Sequence, residues 1–411
     1  MSSGTSQPAG ISRGLVVLLS AATGATVANM YYAQPLLHTL GRTFHMGTGT
    51  AGLLVTIAQI GYVLGLAFLV PLGDLVERRA LITNSMICLA VAQAVACAAP
   101  ALWVFASALL VVGLTTFVAQ VIVPMSSHLA AEHERGKVVG NVMSGLLIGI
   151  LISRTLSGII AGAFGWRAIF GCAAVGMLLF ALLLRRLLPK VEPTSDLHYR
   201  AALVSVLRLV RDEPILRQRM ILGGCAMGCF SVLWTSLAFL LSGVHGSHFH
   251  YGNTVIGLFG LAGVAGASAA QVAGRLADSG HGRLVTTATL VSMLLSWLIL
   301  YLGKDSVIVL IIGIMVLDLG VQGTQISNQA AIYKLHPDAR SRITTAYMVA
   351  YFLGGIALSA VTGALYASSG WIGVCILGGA TSGFSLLAWA LSFRLAAAPT
   401  RRLETDQSVA A

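Results

Sequence analysis

Charge is what this chain has least of. Charged residues fill 9% of its 411 positions, and only 14 of them are Asp or Glu. A soluble domain carries roughly 25% charged residues, so this sequence could not cover a water-facing surface. The ten-residue polar–apolar alternation of membrane barrels is also missing, which excludes that architecture. There is no phosphate-cradling Walker loop, no pair of midplane carboxylates and no helix with metal-spaced His and Glu. No stretch is long enough to hold a soluble nucleotide or output domain, which leaves an ATP-driven pump, an enzyme or a sensor without its working part. The six cysteines (Cys88, Cys97, Cys172, Cys225, Cys229, Cys375) all lie in apolar runs. They read as small hydrophobes, with no disulfide or zinc site expected.

Apolar residues make up 57% of the chain, and its mean hydropathy is +0.87. They gather into runs near 14–37, 49–70, 80–99, 101–124, 137–161 and 165–187, then 218–242, 253–274, 284–302, 306–332, 343–366 and 371–393. Crossing a hydrocarbon core about 30 Å thick takes roughly 20 residues of helix, and lipid-exposed backbone must satisfy its own hydrogen bonds. The expectation is an all-α integral membrane protein with 12 transmembrane helices. The first run follows Arg13 and is too long for a signal-peptide core, so an uncleaved first helix is expected, ended or kinked at Pro35.

The net charge of +11 needs no nucleic-acid partner. With these spans, 21 of the 25 Lys and Arg fall on one face, and only Arg42, Arg167 and Lys304 on the other. The last, Arg154, lies inside a span. By the positive-inside rule both termini are cytoplasmic. Residues 189–213 form a cytoplasmic linker whose middle, residues 201–209, is amphipathic and basic. It is either a segment lying on the anionic membrane surface or a solvated connector.

The chain repeats across this linker. Asp74 matches Asp278 (278 − 74 = 204), Arg135 matches Arg340, Gly158 matches Gly363, and Trp166 matches Trp371, the last three 205 apart. Residues 1–188 and 214–411 therefore read as two pseudo-symmetric six-helix bundles, an arrangement that places a substrate site between repeats. The loop "VPLGDLVERRA" and its counterpart "AGRLADSGHGR" make the specific match. With the two six-helix halves they resemble the major facilitator superfamily over nearly the whole chain. The family pattern Gly-x-Leu-x-Asp-Arg-x-Gly-Arg-Arg is kept at Leu72, Asp74, Arg78 and Arg79, but Val70, Leu75 and Glu77 depart from it. The second copy keeps Gly274, Leu276 and Asp278, with a longer turn to Arg283. The string "ANMYYAQPL" is similar to an exporter-like bacterial inner-membrane branch. The resemblance implies transport by alternating access, with Asp74, Arg78, Arg79, Gly274, Asp278 and Arg283 forming a cytoplasmic gate.

Two ionisable residues lie deep inside spans, Arg154 and Asp318. A charge at a helix centre costs roughly 2.5–3.5 kcal/mol on insertion scales and is functional by default. At the repeat spacing Asp318 falls on Gly113 and Arg154 on Ser359, so each charge exists in one half only. Asp318 is the proton-coupling candidate. It opens a stripe with Gln322, Gln325 and Gln329 on one helix face, the wall of a wet cavity. Arg154 either snorkels toward the outer interface or pairs with an acidic substrate or a carbonyl. The helix-five exporter pattern of the family is broken: Gly145 and Gly149 are kept, while Ile150, Ser153 and Arg154 replace the rest, and the fourth span carries no charge. Further cavity candidates are Asn29, Tyr32, Gln120, Trp234, Tyr347 and Tyr351. His245, His248 and His250 sit in an outer loop that reads as solvated rather than metal-binding.

The expected activity is secondary transport of a small organic solute, driven by a proton gradient as antiport efflux, with no cofactor. The alternative is a uniporter or symporter for an anionic metabolite using Arg154. The expected partners are the small-molecule substrate and the lipid bilayer, for a multi-pass protein acting as a monomer.

Overall fold

The structure is a computed structural model that describes residues 11–131, 134–190, 199–263, 281–335 and 340–397. Helices follow one another without a strand among the described residues. They are α1 (Arg13–Ala28), α2 (Leu37–Thr43), α3 (Thr48–Leu64), α4 (Arg78–Ala98), α5 (Leu102–Thr115), α6 (Val118–Leu129), α7 (Arg135–Phe164) and α8 (Trp166–Leu187). After the linker helix α9 (Tyr199–Asp212) come α10 (Pro214–Leu241), α11 (Asn253–Leu258), α12 (Gly282–Leu302), α13 (Val307–Ile332) and α14 (Arg340–Ala397). Nine helices among the described residues are long and apolar enough to cross a membrane, and Arg13–Ala28 and Asn253–Ala262 are shorter apolar ones.

Local chemistry sets the ends of these rods. The Ser12 hydroxyl accepts from Leu15 N at 3.2 Å and starts α1. Glu77, where the family pattern has glycine, accepts from Arg79 N and Ala80 N at 2.9 Å each and so caps α4. Pro214 opens α10, where a missing N–H costs nothing. Gly165 (φ 83°) separates α7 from α8, and Gly370 (φ 60°) breaks α14 at the equivalent point, 205 residues on. Each glycine turns the chain in a left-handed conformation, and each is followed by a buried tryptophan, Trp166 or Trp371.

Apolar side chains such as Trp103, Phe164 and Leu298 lie on the outside, as a lipid solvent requires. Packing inside relies on small residues. A methyl group on Gly24 would strike the Gly145 carbonyl, one on Gly149 the Gly24 carbonyl, and one on Gly354 the Gly224 carbonyl. Backbones therefore touch along α1·α7 and, in the second half, along α10·α14.

Two seams join the halves, α3 with α14 and α7 with α11. They are copies of each other. Gly363 packs on the Thr48 and Gly49 carbonyls, and Gly158 packs on Asn253 and Gly257. Hydroxyls fasten both: Thr56 Oγ1 lies 2.9 Å from Ser359 Oγ, and Thr155 Oγ1 donates to the Gly257 carbonyl at 3.0 Å. All these contacts lie between the helix midpoints and the face opposite the basic loops.

Candidate functional site

The first helix loses its regularity just where the seams end. It stops at Ala28, passes through turns and a 3-10 segment at Gln34–Leu36, and resumes as α2. The Pro35 expectation meets this break. α11 likewise gives way to a 3-10 segment at Phe259–Ala262. Irregular backbone at membrane depth is tolerated where it is buried in protein or lines a cavity, and discontinuous helices of this kind mark transporter sites.

Arg154 lies beside both breaks. It is 10 residues from the end of α7, about 15 Å deep, and Asp318 is 11 residues into α13, about 16 Å deep. Both are buried, 2% and 4% exposed, so Arg154 does not snorkel. Arg154 Nε donates to Gln34 Oε1 at 2.8 Å, and its guanidinium carbon sits 4.0 Å from the Trp234 ring centre, 4.7 Å from Tyr31 and 5.1 Å from Phe230. Such stacking of a desolvated guanidinium contributes about 2 kcal/mol. The Asp318 carboxylate interacts electrostatically with Arg154, and the Trp234 indole approaches it without completing a hydrogen bond. Glycines make this possible: Gly260 lies against Arg154 Cβ, and a methyl on Gly263 would come within 2.7 Å of Asp318 Oδ2. Arg154 comes from the first half of the chain and Asp318 from the second, so the two charges face each other between the halves.

Of the other predicted residues, Trp234 and Tyr351 belong to this cluster; the Tyr351 phenol interacts with Asp318 and Tyr31. Gln120 donates to the Tyr62 hydroxyl at 3.2 Å, and Tyr62 packs edge-on against Phe352, next to Tyr351. Tyr347 donates to Gln325 Oε1 at 2.6 Å and stacks 6.1 Å from Tyr351. Gln322 and Gln329 are half-buried on the same helix. Asn29 is elsewhere: it binds the Ala25 carbonyl at 2.7 Å and accepts from Gln93 of α4, inside the first half. The Tyr32 carbonyl takes the Ser157 hydroxyl at 2.6 Å, and its phenol interacts with Cys172. Its neighbour Tyr31 is the ring that reaches Arg154.

The loop residues divide. Arg78 Nε donates to the Gly73 carbonyl at 2.9 Å, and Arg79 reaches the Leu188 carbonyl at 3.2 Å, both within the first half. Arg283 stands exposed in the first turn of α12. Gly274 and Asp278 lie outside the described residues, as does the side chain of Asp74. Arg219, counted above with the basic-face charges, lies near that end of α10 and is buried inside the second half. It donates to Thr286 Oγ1 and Asn328 Oδ1 at 3.1 Å each and stacks 4.7 Å from the Trp389 ring. The sequence reading had not singled out Gln34, Tyr31, Phe230 or Asn328. Tyr31 and Gln34 both lie in the string "ANMYYAQPL", and a glutamine beside proline in an apolar run was the available signal. A separate cavity of about 590 Å³ opens on the face opposite the basic loops, lined by His38, Arg42, His45 and Phe239 among others. It lies away from the Arg154 cluster.

Comparison with known proteins agrees with this architecture. The family model described as Major Facilitator Superfamily matches residues 19–357 and 234–409. The chain is 47% identical over 379 residues to the uncharacterized transporter YgaY of Escherichia coli O157:H7, covering 92% of this chain and 95% of that one. It is 32% identical over 365 residues to the probable transporter SCO4007 of Streptomyces coelicolor, covering 88% and 84%. A crystal structure of a bacterial homolog to the human lysosomal transporter Spinster superposes with a TM-score of 0.72 at 13% identity, covering 93% of this chain and 96% of that one. The protein is therefore a multi-pass inner-membrane transporter and not an enzyme, and it belongs to the Major Facilitator Superfamily.

Proposed function

We propose that this transporter moves a small organic solute by alternating access and couples export to an inward proton flow through Asp318. One observation carries the reading: Arg154 and Asp318, one from each half, are buried together at mid-depth beside the broken stretch of the first helix. A carboxylate there, shared between two moving halves, changes partner whenever the halves rock. In this reading the chain has twelve spans with both termini cytoplasmic, bundles 1–188 and 214–411, linker 189–213, and works as a monomer in the bilayer. The described seams close the face opposite the basic loops, which supports a form poised toward the cytoplasm. The cytoplasmic gate in this reading is Asp74, Arg78, Arg79, Gly274, Asp278 and Arg283, with Arg78 and Arg79 bonded to the Gly73 and Leu188 carbonyls.

The test is flux into and out of proteoliposomes under an imposed pH gradient, comparing wild type with Asp318→Asn. Gradient-driven flux that Asp318→Asn abolishes while solute exchange continues supports coupling. Wild-type flux indifferent to pH overturns it. A uniporter or symporter for an anionic metabolite is the second reading, favoured by Arg154 Nη2, a buried donor without a partner.

A further inference from the structure

Buried opposite charges ordinarily close on each other, because their attraction in a low dielectric must offset the loss of water. Arg154 and Asp318 do not. They interact through space, yet they stay beyond the 4.0 Å of an ion pair. The Gln34 bond and the Trp234, Tyr31 and Phe230 rings hold Arg154 where it is. Each pole leaves a buried polar atom unsatisfied: Arg154 Nη2 is a donor without an acceptor, and Asp318 Oδ1 is an acceptor without a donor. The indole of Trp234 lies between the poles, its ring on the guanidinium and its N–H toward the carboxylate without completing a hydrogen bond. Leaving such groups unsatisfied is costly, more so when they are charged, so an orphaned donor and an orphaned acceptor on two interacting charges describe the two poles of a ligand.

Their polarity gives its chemistry. Arg154 Nη2 offers an N–H donor on a positive charge, the pattern that takes a carboxylate. Asp318 Oδ1 offers an acceptor, the pattern that takes an ammonium group. Net charge then discriminates. The cluster by itself carries one positive and one negative charge; a monoanion or a monocation would leave it charged in a dry interior, and a neutral dipolar molecule would not. The rings of Tyr31, Phe230 and Tyr351 supply apolar wall around the poles.

From this geometry we propose that the substrate is a small zwitterion, a molecule with one carboxylate and one ammonium group, held with its carboxylate on Arg154 and its ammonium on Asp318. The assignment rests on reading this cluster as the transport site. It also supplies the exchange: the ammonium and a proton compete for the same carboxylate, so binding the solute returns the proton to water. The charged and titratable groups facing that carboxylate among the described residues are Arg154 and Tyr351.

The experiment needs no gradient. Thermal stabilisation of the purified transporter is measured with a mixture of the standard amino acids, with the same mixture as methyl esters, and with the mixture N-acetylated. The free amino acids are expected to stabilise at concentrations at least about 10-fold lower than either blocked mixture, one lost charge contact being worth about 1.4 kcal/mol or more. Asp318→Asn is expected to erase the preference over the N-acetyl forms, and Arg154→Gln the preference over the esters, a swap that a purely structural role for either residue would not produce. N-acetyl forms binding as well as free ones to wild type would overturn the proposal in favour of an anion, and esters binding as well in favour of a cation. No stabilisation by any mixture overturns it outright. Zwitterion binding without pH-driven flux would leave the substrate class standing and remove the proton coupling.

Discussion

The two halves of the chain share a scaffold and differ in what they bury. In the first half α3 and α5 meet backbone to backbone, with a methyl on Gly113 striking the Ala58 carbonyl. At the repeat spacing, Ala58 corresponds to Gly263 and Gly113 to Asp318, and there the second half trades the close contact for a buried carboxylate. The same holds near the basic face. Arg219, Thr286, Asn328, Tyr347 and Trp389 form a hydrogen-bonded and stacked cluster. At the same spacing Thr286, Asn328, Tyr347 and Trp389 fall on Leu81, Val123, Val142 and Leu184, which belong to one apolar core. Regularity runs the other way: the first span breaks between α1 and α2 and the fourth between α5 and α6, while α10 and α13 run unbroken. Each half breaks one helix beside the site and each supplies one charge, but the first and fourth spans bend where their counterparts α10 and α13 stay straight. A duplicated scaffold needs symmetry where the halves rock against each other, and asymmetry where a ligand of fixed polarity must bind.

Substitutions can break this comparison or sharpen it. The largest effect is expected from Asp318→Gly, which makes the second half resemble the first: pH-driven flux in proteoliposomes should fall to the protein-free background while the melting temperature is kept. Gly113→Ala attacks the converse feature. Because the clash is with backbone, the loss of stability should be about 3 kcal/mol, read as a lower melting temperature in detergent. Arg219→Met leaves Asn328 Oδ1 without its donor inside the second half and should cost about 2 kcal/mol; an unchanged melting temperature would show the cluster to be dispensable. Gly165→Ala and Gly370→Ala should cost about 1.5 kcal/mol each, and equally, since both impose a side chain on a left-handed turn. The smallest effect is at the seam, where Thr56→Val removes the bond to Ser359 at about 1 kcal/mol. That change should raise the accessibility of a cysteine placed at Gly52 to a membrane-impermeant thiol reagent from the outer face.

Much of the fold was legible in the residues. Long apolar runs in a charge-poor chain admit only helices in lipid, and the glycines before Trp166 and Trp371 mark the same turn twice. The site was legible in part. Arg154 and Asp318 stood out because a charge in an apolar run has no inexpensive explanation. Tyr31 and Tyr32 are adjacent and chemically identical, and only the turn after Ala28 decides which ring reaches the guanidinium. The residues place Arg219 on the basic face, but sequence distance from a span end does not show that hydroxyls and a tryptophan surround it.

By itself, then, the amino-acid order determined the solvent, the helical class, the repeat and the two buried charges, since each follows from local composition and spacing. What only the tertiary structure decided is which residues those charges meet. Gln34, Tyr31, Phe230 and Trp234 gather around Arg154 because glycine seams bring two distant halves into contact and a broken helix turns its side chains inward. Contacts of that kind depend on backbone approach and helix rotation, which periodicity along one chain does not encode.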